Sequence, residues 1–207
     1  MKKLIIIGAG GFASEVIEWA LDILEHKDND WVIHGLLDNL SSKPIANIPV
    51  IDTIDNYAPK EDDVFICAIG DPETKTKFCN SMLNKGAQFV NLIHPTAIIG
   101  ESVSLGKGII ACPYSIITAN AVIEDFVTIN VHSTIGHDAI VKRGCTLSSH
   151  CDVTGHVVLG ENCFMGSHAL IIPSVTVENN VKIGAGSVVI SRVKANATVF
   201  GNPAQPI

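Results

Sequence analysis

The residues best equipped for chemistry are a histidine with an acidic neighbour, His137-Asp138, and three histidines eighteen residues apart, His132, His150 and His168. An imidazole titrates near neutrality, so it can take the proton that an attacking nucleophile sheds, contributing roughly 10²–10⁴ in rate. The carboxylate beside His137 can hold that ring in one tautomer. Eighteen residues further on stands Gly155, whose N–H no side chain shields and which can receive a developing oxyanion. A different chemistry is written near the start, in Ile7-Gly8-Ala9-Gly10-Gly11-Phe12-Ala13. Such a glycine turn, followed by a helix, holds phosphate on backbone N–H groups. Asp38 ends the next apolar run, placed for a ribose or base, and Gly70 ends a third. Gly8, Gly10, Gly11, Asp38 and Gly70 are therefore candidate contacts to a nucleotide.

A six-residue period positions the histidines. Stepping by six from Ile99 through Leu105 and Ala111 to Ile183 and Val189 meets an apolar residue every time. Four residues after each lies a mostly small one, among them Cys145, Cys151 and Cys163, which read as small buried hydrophobes rather than disulfides or zinc ligands. One aliphatic and one small inward position per hexad suits a triangular coil of about 18 residues, its strands stacked parallel roughly 4.8 Å apart. His137 and Gly155 then share one corner column. His132, His150 and His168 share another, expected as a surface ladder; a zinc site built from His132 and His137 lacks a third histidine, since Thr96 and Tyr114 stand in the columns below. Glycines just after the aliphatic position (Gly100, Gly106, Gly136, Gly160, Gly166 and Gly184) are expected to relieve strain at corners.

Residues 1–95 read instead as a small α/β domain. Apolar runs at Leu4–Ile7, Val32–Leu37, Val64–Ile69 and Phe89–Ile93 alternate with helical stretches near Ser14–Leu24 and Glu73–Leu83. The glycine turn fits a loosened dinucleotide fingerprint, yet a nucleotide-diphosphate sugar uses the same phosphate logic, and nothing downstream looks like an oxidoreductase. The coil occupies 96–207, with a cap from Ala195. A net charge of −7 argues against nucleic acid, which needs Lys and Arg to displace counterions. The apolar run Leu4–Ile7 is too short for a signal peptide or membrane span, so the expected location is cytoplasmic. Hydrophobic residues make up 47% and aromatics 5%, so the core must be aliphatic.

The glycine turn, the hexads, the stretch Asn130-Val131-His132-Ser133-Thr134-Ile135-Gly136-His137-Asp138 and the terminal Gly201-Asn202-Pro203-Ala204 together resemble the NeuD-like sugar O- and N-acetyltransferases. The likeness runs over nearly the whole chain. It implies a Rossmann-like N-terminal domain that binds a nucleotide-linked amino sugar, a left-handed parallel β-helix, acetyl-CoA between neighbouring helices of a homotrimer, and no metal. It further implies His137 as general base with Asp138 polarising it, and Asn130 as a neighbour of the substrate. Gly155, Ala185, Gly201 and Pro203 are the implied acetyl-CoA contacts. Phe12 stands where that family often has a histidine, Thr146 where its bacillosamine-type members have a second one, and Gln205 where a basic residue is usual. Acetylation of a sialic acid or other sugar hydroxyl, and a sugar-nucleotide sensor or scaffold without turnover, are the alternatives.

Overall fold

Alternating apolar runs and helices resolve into a five-stranded parallel sheet in the computed structural model, which describes residues 1–26 and 30–207. Its strands are β1 (Lys2–Ile7), β2 (Trp31–Leu37), β3 (Val50–Asp52), β4 (Asp63–Cys67) and β5 (Gln88–Phe89), in the order β3-β2-β1-β4-β5. Helix α1 (Gly11–His26) buries Ala13, Val16, Ile17, Ala20 and Ile23, the stripe a helix needs to lie on a sheet. Helix α2 (Pro72–Asn84) opens at Asp71, whose Oδ1 accepts from the Thr74 N–H at 2.9 Å and the Thr74 hydroxyl at 2.6 Å. Strand order reverses between β1 and β4, which opens a crevice at their carboxyl ends. Gly8 sits there with φ +105°, and a Cβ would come within 3.0 Å of the Ile69 side chain.

Two details depart from the sequence reading. β3 is an extra strand of three residues, too short to leave a periodic signal. The apolar run Phe89–Ile93 is split between sheets: Phe89 ends β5, whereas Leu92–Ile93 pairs with Ile110–Ala111 of the coil. Asn91 makes the turn, its amide donating to the Gly106 carbonyl at 2.8 Å and its oxygen accepting from the Ile109 N–H at 3.0 Å. Coil pairing therefore begins ahead of residue 96.

The rest is a left-handed parallel β-helix whose two-residue strands stack into three sheets. Each strand pairs with the one eighteen residues on, as in Ile117 with Ile135, Ile135 with Val153 and Val153 with Ile171. These aliphatics form one continuous interior, with Cys145, Cys151 and Cys163 buried in it as free thiols. The corners correct an expectation. Strain falls not on the glycines that follow the aliphatic position but two residues later, where Tyr114, Asn120, Phe126, His132, Asp138, His150, His156, Asn162 and His168 hold φ of +54° to +62°. Asn, Asp and His are the side chains that tolerate this conformation best. Gly136 and Gly160 are small for another reason: a Cβ would lie 2.6 Å from the Gly155 nitrogen or 2.5 Å from the Glu178 carbonyl carbon of the next coil.

The α/β unit covers the sheet that contains Thr128–Ile129 and Thr146–Leu147. Phe89 meets Phe126 edge to face at 4.8 Å, and the Arg143 guanidinium lies 4.8 Å from the same ring. Lys75 of α2 is buried with its ammonium on Thr128 Oγ1 (3.1 Å), Thr146 Oγ1 (2.8 Å) and the Cys145 carbonyl (3.0 Å). Loss of hydration on burial pushes its pKa down to about 8. At the far end, the period breaks after Val193 and Thr198–Phe200 adds one more parallel strand, on which Gln205–Pro206 folds back. None of the helices among the described residues is long and apolar enough to cross a membrane.

Candidate active site

His137 is held at the corner between the sheets of Thr134–Ile135 and Ile140–Val141. Its Nδ1 lies 2.8 Å from Asp138 Oδ2, and the other carboxylate oxygen accepts from the Asn120 amide at 3.2 Å. Donation by His137, then by Asn120, holds the Asp138 carboxyl below the usual carboxylate range. With Nδ1–H directed to the carboxylate, Nε2 carries the ring's lone pair. That nitrogen overhangs Gly155 so closely that a Cβ there would stand 2.7 Å from it. Among the described residues the Gly155 N–H donates to no protein acceptor. An imidazole nitrogen thus lies against a glycine whose N–H has no protein partner among the described residues. His137 is about 60% exposed, open to a large substrate.

The glycine turn forms the edge of a second concavity. Gly10, Gly11 and Gly70 have open space where a side chain would be, and α1 has no acidic residue in its first turn. Phe12, Glu15 and Gly70 face Thr128, Asn130, Thr146, Ser148 and Phe164 across a cleft of about 260 Å³. Gly70 and Asn130, far apart in sequence, are thereby brought together. Asp38 adjoins the turn, but its oxygens serve the backbone: Oδ2 accepts from Ala9 N–H at 2.8 Å and Oδ1 from Leu40 and Ser41 N–H at 2.7 Å each. Thr146 lines this cleft and Lys75, not the His137 corner.

Other candidates lie apart. Ala185 stands at the corner of the histidine ladder, one residue before Gly186, which continues the ladder's column, rather than over Gly155. Gly201 and Pro203 lie beside it on the last coil, where Gly201 accepts from the Val188 N–H and donates to Ser187 Oγ. The ladder itself is present: His132, His150 and His168 stack face to face at 4.9 and 4.7 Å, with Tyr114 continuing the stack at 5.2 Å. The sequence reading passes over His156. It follows Gly155 and lies one coil from Asp138, with Nε2 3.9 Å from Asp138 Oδ2 and its ring edge-on to His137 at 5.0 Å. The eighteen-residue step from Asp138 would have found it.

A Rossmann-like crevice is thus joined to a hexad coil with His137 exposed at one corner. Residues 3–82 match the PglD N-terminal domain family and residues 156–191 the bacterial transferase hexapeptide family of six repeats. The two matches lie in the α/β unit and in the coil respectively, each over less than half of the chain. A GDP-perosamine N-acetyltransferase of Escherichia coli O157:H7 is 28% identical over 134 residues, 64% of this chain and 61% of that protein. The chain spans 23% and 61% of the length of the curated relatives it matches. The acetyltransferase domain of PglB from Neisseria gonorrhoeae FA1090 superposes over 100% of both chains, with TM-score 0.91 and 27% identity. PerB from Caulobacter crescentus, in complex with CoA and GDP-perosamine, superposes over 100% of this chain and 98% of that one, with TM-score 0.91 and 28% identity.

Proposed function

We propose that the protein transfers the acetyl group of acetyl-CoA to the amino group of a nucleotide-linked amino-deoxy sugar, a step in building bacterial surface glycans. The observation that carries this reading is His137 Nε2 set over the side-chain-free Gly155, with Asp138 fixing the opposite nitrogen. The amine attacks the thioester carbonyl, and His137 takes the proton that the nitrogen loses. The oxyanion rests on the Gly155 N–H; its collapse breaks the C–S bond, and the imidazolium returns the proton to the sulfur of CoA. No metal or covalent acyl-enzyme is required. The relatives support the substrate class, since one is named a GDP-perosamine N-acetyltransferase and another was solved with CoA and GDP-perosamine.

In this reading the sugar nucleotide lies with its phosphates on Gly8, Gly10 and Gly11 and its sugar toward Gly70 and Asn130, while Asp38 stiffens the turn. Acetyl-CoA runs along the coil past Gly155 toward Ala185, Gly201 and Pro203. In one chain, however, the cleft is on the sheet of Thr128–Ile129 and the His137 corner is the corner opposite that sheet. The sheets flanking His137 carry outward aliphatics, with Val122 exposed and Ile116, Ile140, Val158 and Leu170 partly so, a surface suited to neighbouring copies. The functional unit is therefore a homotrimer, in which one chain's cleft meets another's His137. Acetyl-CoA and sugar nucleotides make the cytoplasm its place of work.

The test is CoA thiol release from acetyl-CoA against UDP-, GDP- and dTDP-linked amino sugars, with free sialic acid alongside. Release with one amino sugar, and an acetamide in the product, is the expected result. Activity on sialic acid alone overturns N-transfer in favour of O-acetylation, and tight binding without release makes the protein a sensor.

A further inference from the structure

The acyl-transfer mechanism leaves one side chain of the corner unused. His156 reaches into the same space as His137 and Asp138 from the next coil, and the three can each offer a ligand atom within 4.8 Å of the others. We propose that His137 Nδ1, Asp138 Oδ2 and His156 Nε2 form a binding site for a borderline-soft divalent cation, Zn2+ by preference, and that the bound ion switches the base off.

Ligand type and spacing both favour this. Two imidazoles and a carboxylate, with a fourth position left to water, are a common zinc donor set. In a tetrahedral site with bonds of about 2.1 Å, neighbouring donors lie roughly 3.4 Å apart. Asp138 Oδ2 stands 2.8 Å from His137 Nδ1 and 3.9 Å from His156 Nε2, so small side-chain rotations bring all three to bonding distance.

The scaffold restrains those rotations. Asp138 and His156 occupy the same left-handed corner position one coil apart, with φ +57° and +58°. The His156 N–H donates to the His137 carbonyl at 3.0 Å, which ties the two coils together at the site. Asn120 holds the far oxygen of Asp138 at 3.2 Å and so aims Oδ2 at both rings, the service an outer hydrogen-bond partner performs at metal sites. The His137 and His156 side chains are 60% and 58% exposed, which gives an ion a way in.

The consequence for catalysis rests on the function proposed above. An ion on Nδ1 needs the lone pair there, so the ring's single N–H proton moves through solvent from Nδ1 to Nε2. The lone pair that would accept the amine's proton is gone, so the ion inhibits without touching the glycine turn.

Binding and inhibition can be measured apart. Co2+ is titrated into the full, untagged, chelator-stripped chain and followed by its visible absorption and by calorimetry. His156→Asn keeps a residue that tolerates the corner backbone, and His150→Asn is the control from the ladder. One Co2+ per chain is expected, with affinity falling about tenfold or more in His156→Asn and unchanged in His150→Asn. Where turnover is seen, Zn2+ inhibits wild type, whereas His156→Asn keeps its metal-free rate and loses that sensitivity. Equal Co2+ affinity in wild type and His156→Asn, or loss in His150→Asn instead, overturns the site. A chain that binds Co2+ as described but never releases CoA refutes the acetyltransferase reading and leaves the metal site standing.

Discussion

Two corners of the coil share one backbone and differ in everything else. At Asp138 and His156, as at His132, His150 and His168, the residue sits at the same left-handed position in its hexad. In the ladder each imidazole has another ring as its neighbour, stacked at 4.7–4.9 Å. At the other corner a glycine clears the space beside His137 and a carboxylate sets its tautomer. The third corner is different again, with Phe126 wedged between Phe89 and Arg143 as the seat of the α/β unit. What a corner does is decided by its neighbours one coil away, not by its own backbone.

The sharpest break in that comparison is His137→Ala, expected to lower kcat by about 10²–10⁴ while the melting temperature holds. Equal turnover would place the base elsewhere. Next comes Phe126→Ala, where loss of a fully buried ring should cost about 3–5 kcal/mol in denaturant unfolding. An unchanged midpoint would mean that the α/β unit does not depend on this corner. Gly155→Ala sets a methyl group 2.7 Å from His137 Nε2 and must move the ring. Since a displacement near 1 Å can cost about 10² in rate, a fall of that order in kcat is expected with the fold intact. The smallest effect belongs to the ladder: His150→Asn should leave acetyl transfer unaltered, and a large loss there would give the stacked histidines a catalytic part.

Much of the coil was legible because a solenoid turns sequence spacing into spatial adjacency. Eighteen residues separate neighbours, so the His137–Gly155 pair and the ladder could be located by counting. His156 is equally countable, but its partner at eighteen residues is Asp138 and not His137. At the corner glycines the pattern shows where small residues recur but not whether conformation or close approach demands them. Contacts between the two units were beyond sequence reasoning. Lys75 looks like an ordinary exposed residue of a polar helix until Thr128 and Thr146 close over it, and Gly70 faces Asn130 only once the units dock.

The claim with most depending on it is that a cleft on one chain is completed by the His137 corner of another. Co-assembly of two inactive variants tests it: His137→Ala, which lacks the base, and Gly70→Trp, which fills the cleft. Each alone should release CoA at background rate. Oligomers formed from equal amounts of both should recover about a quarter of wild-type turnover, the chance that an intact cleft meets an intact corner in a symmetric assembly. Mixed oligomers no more active than their parents would contradict the shared site and return both halves of the chemistry to a single chain.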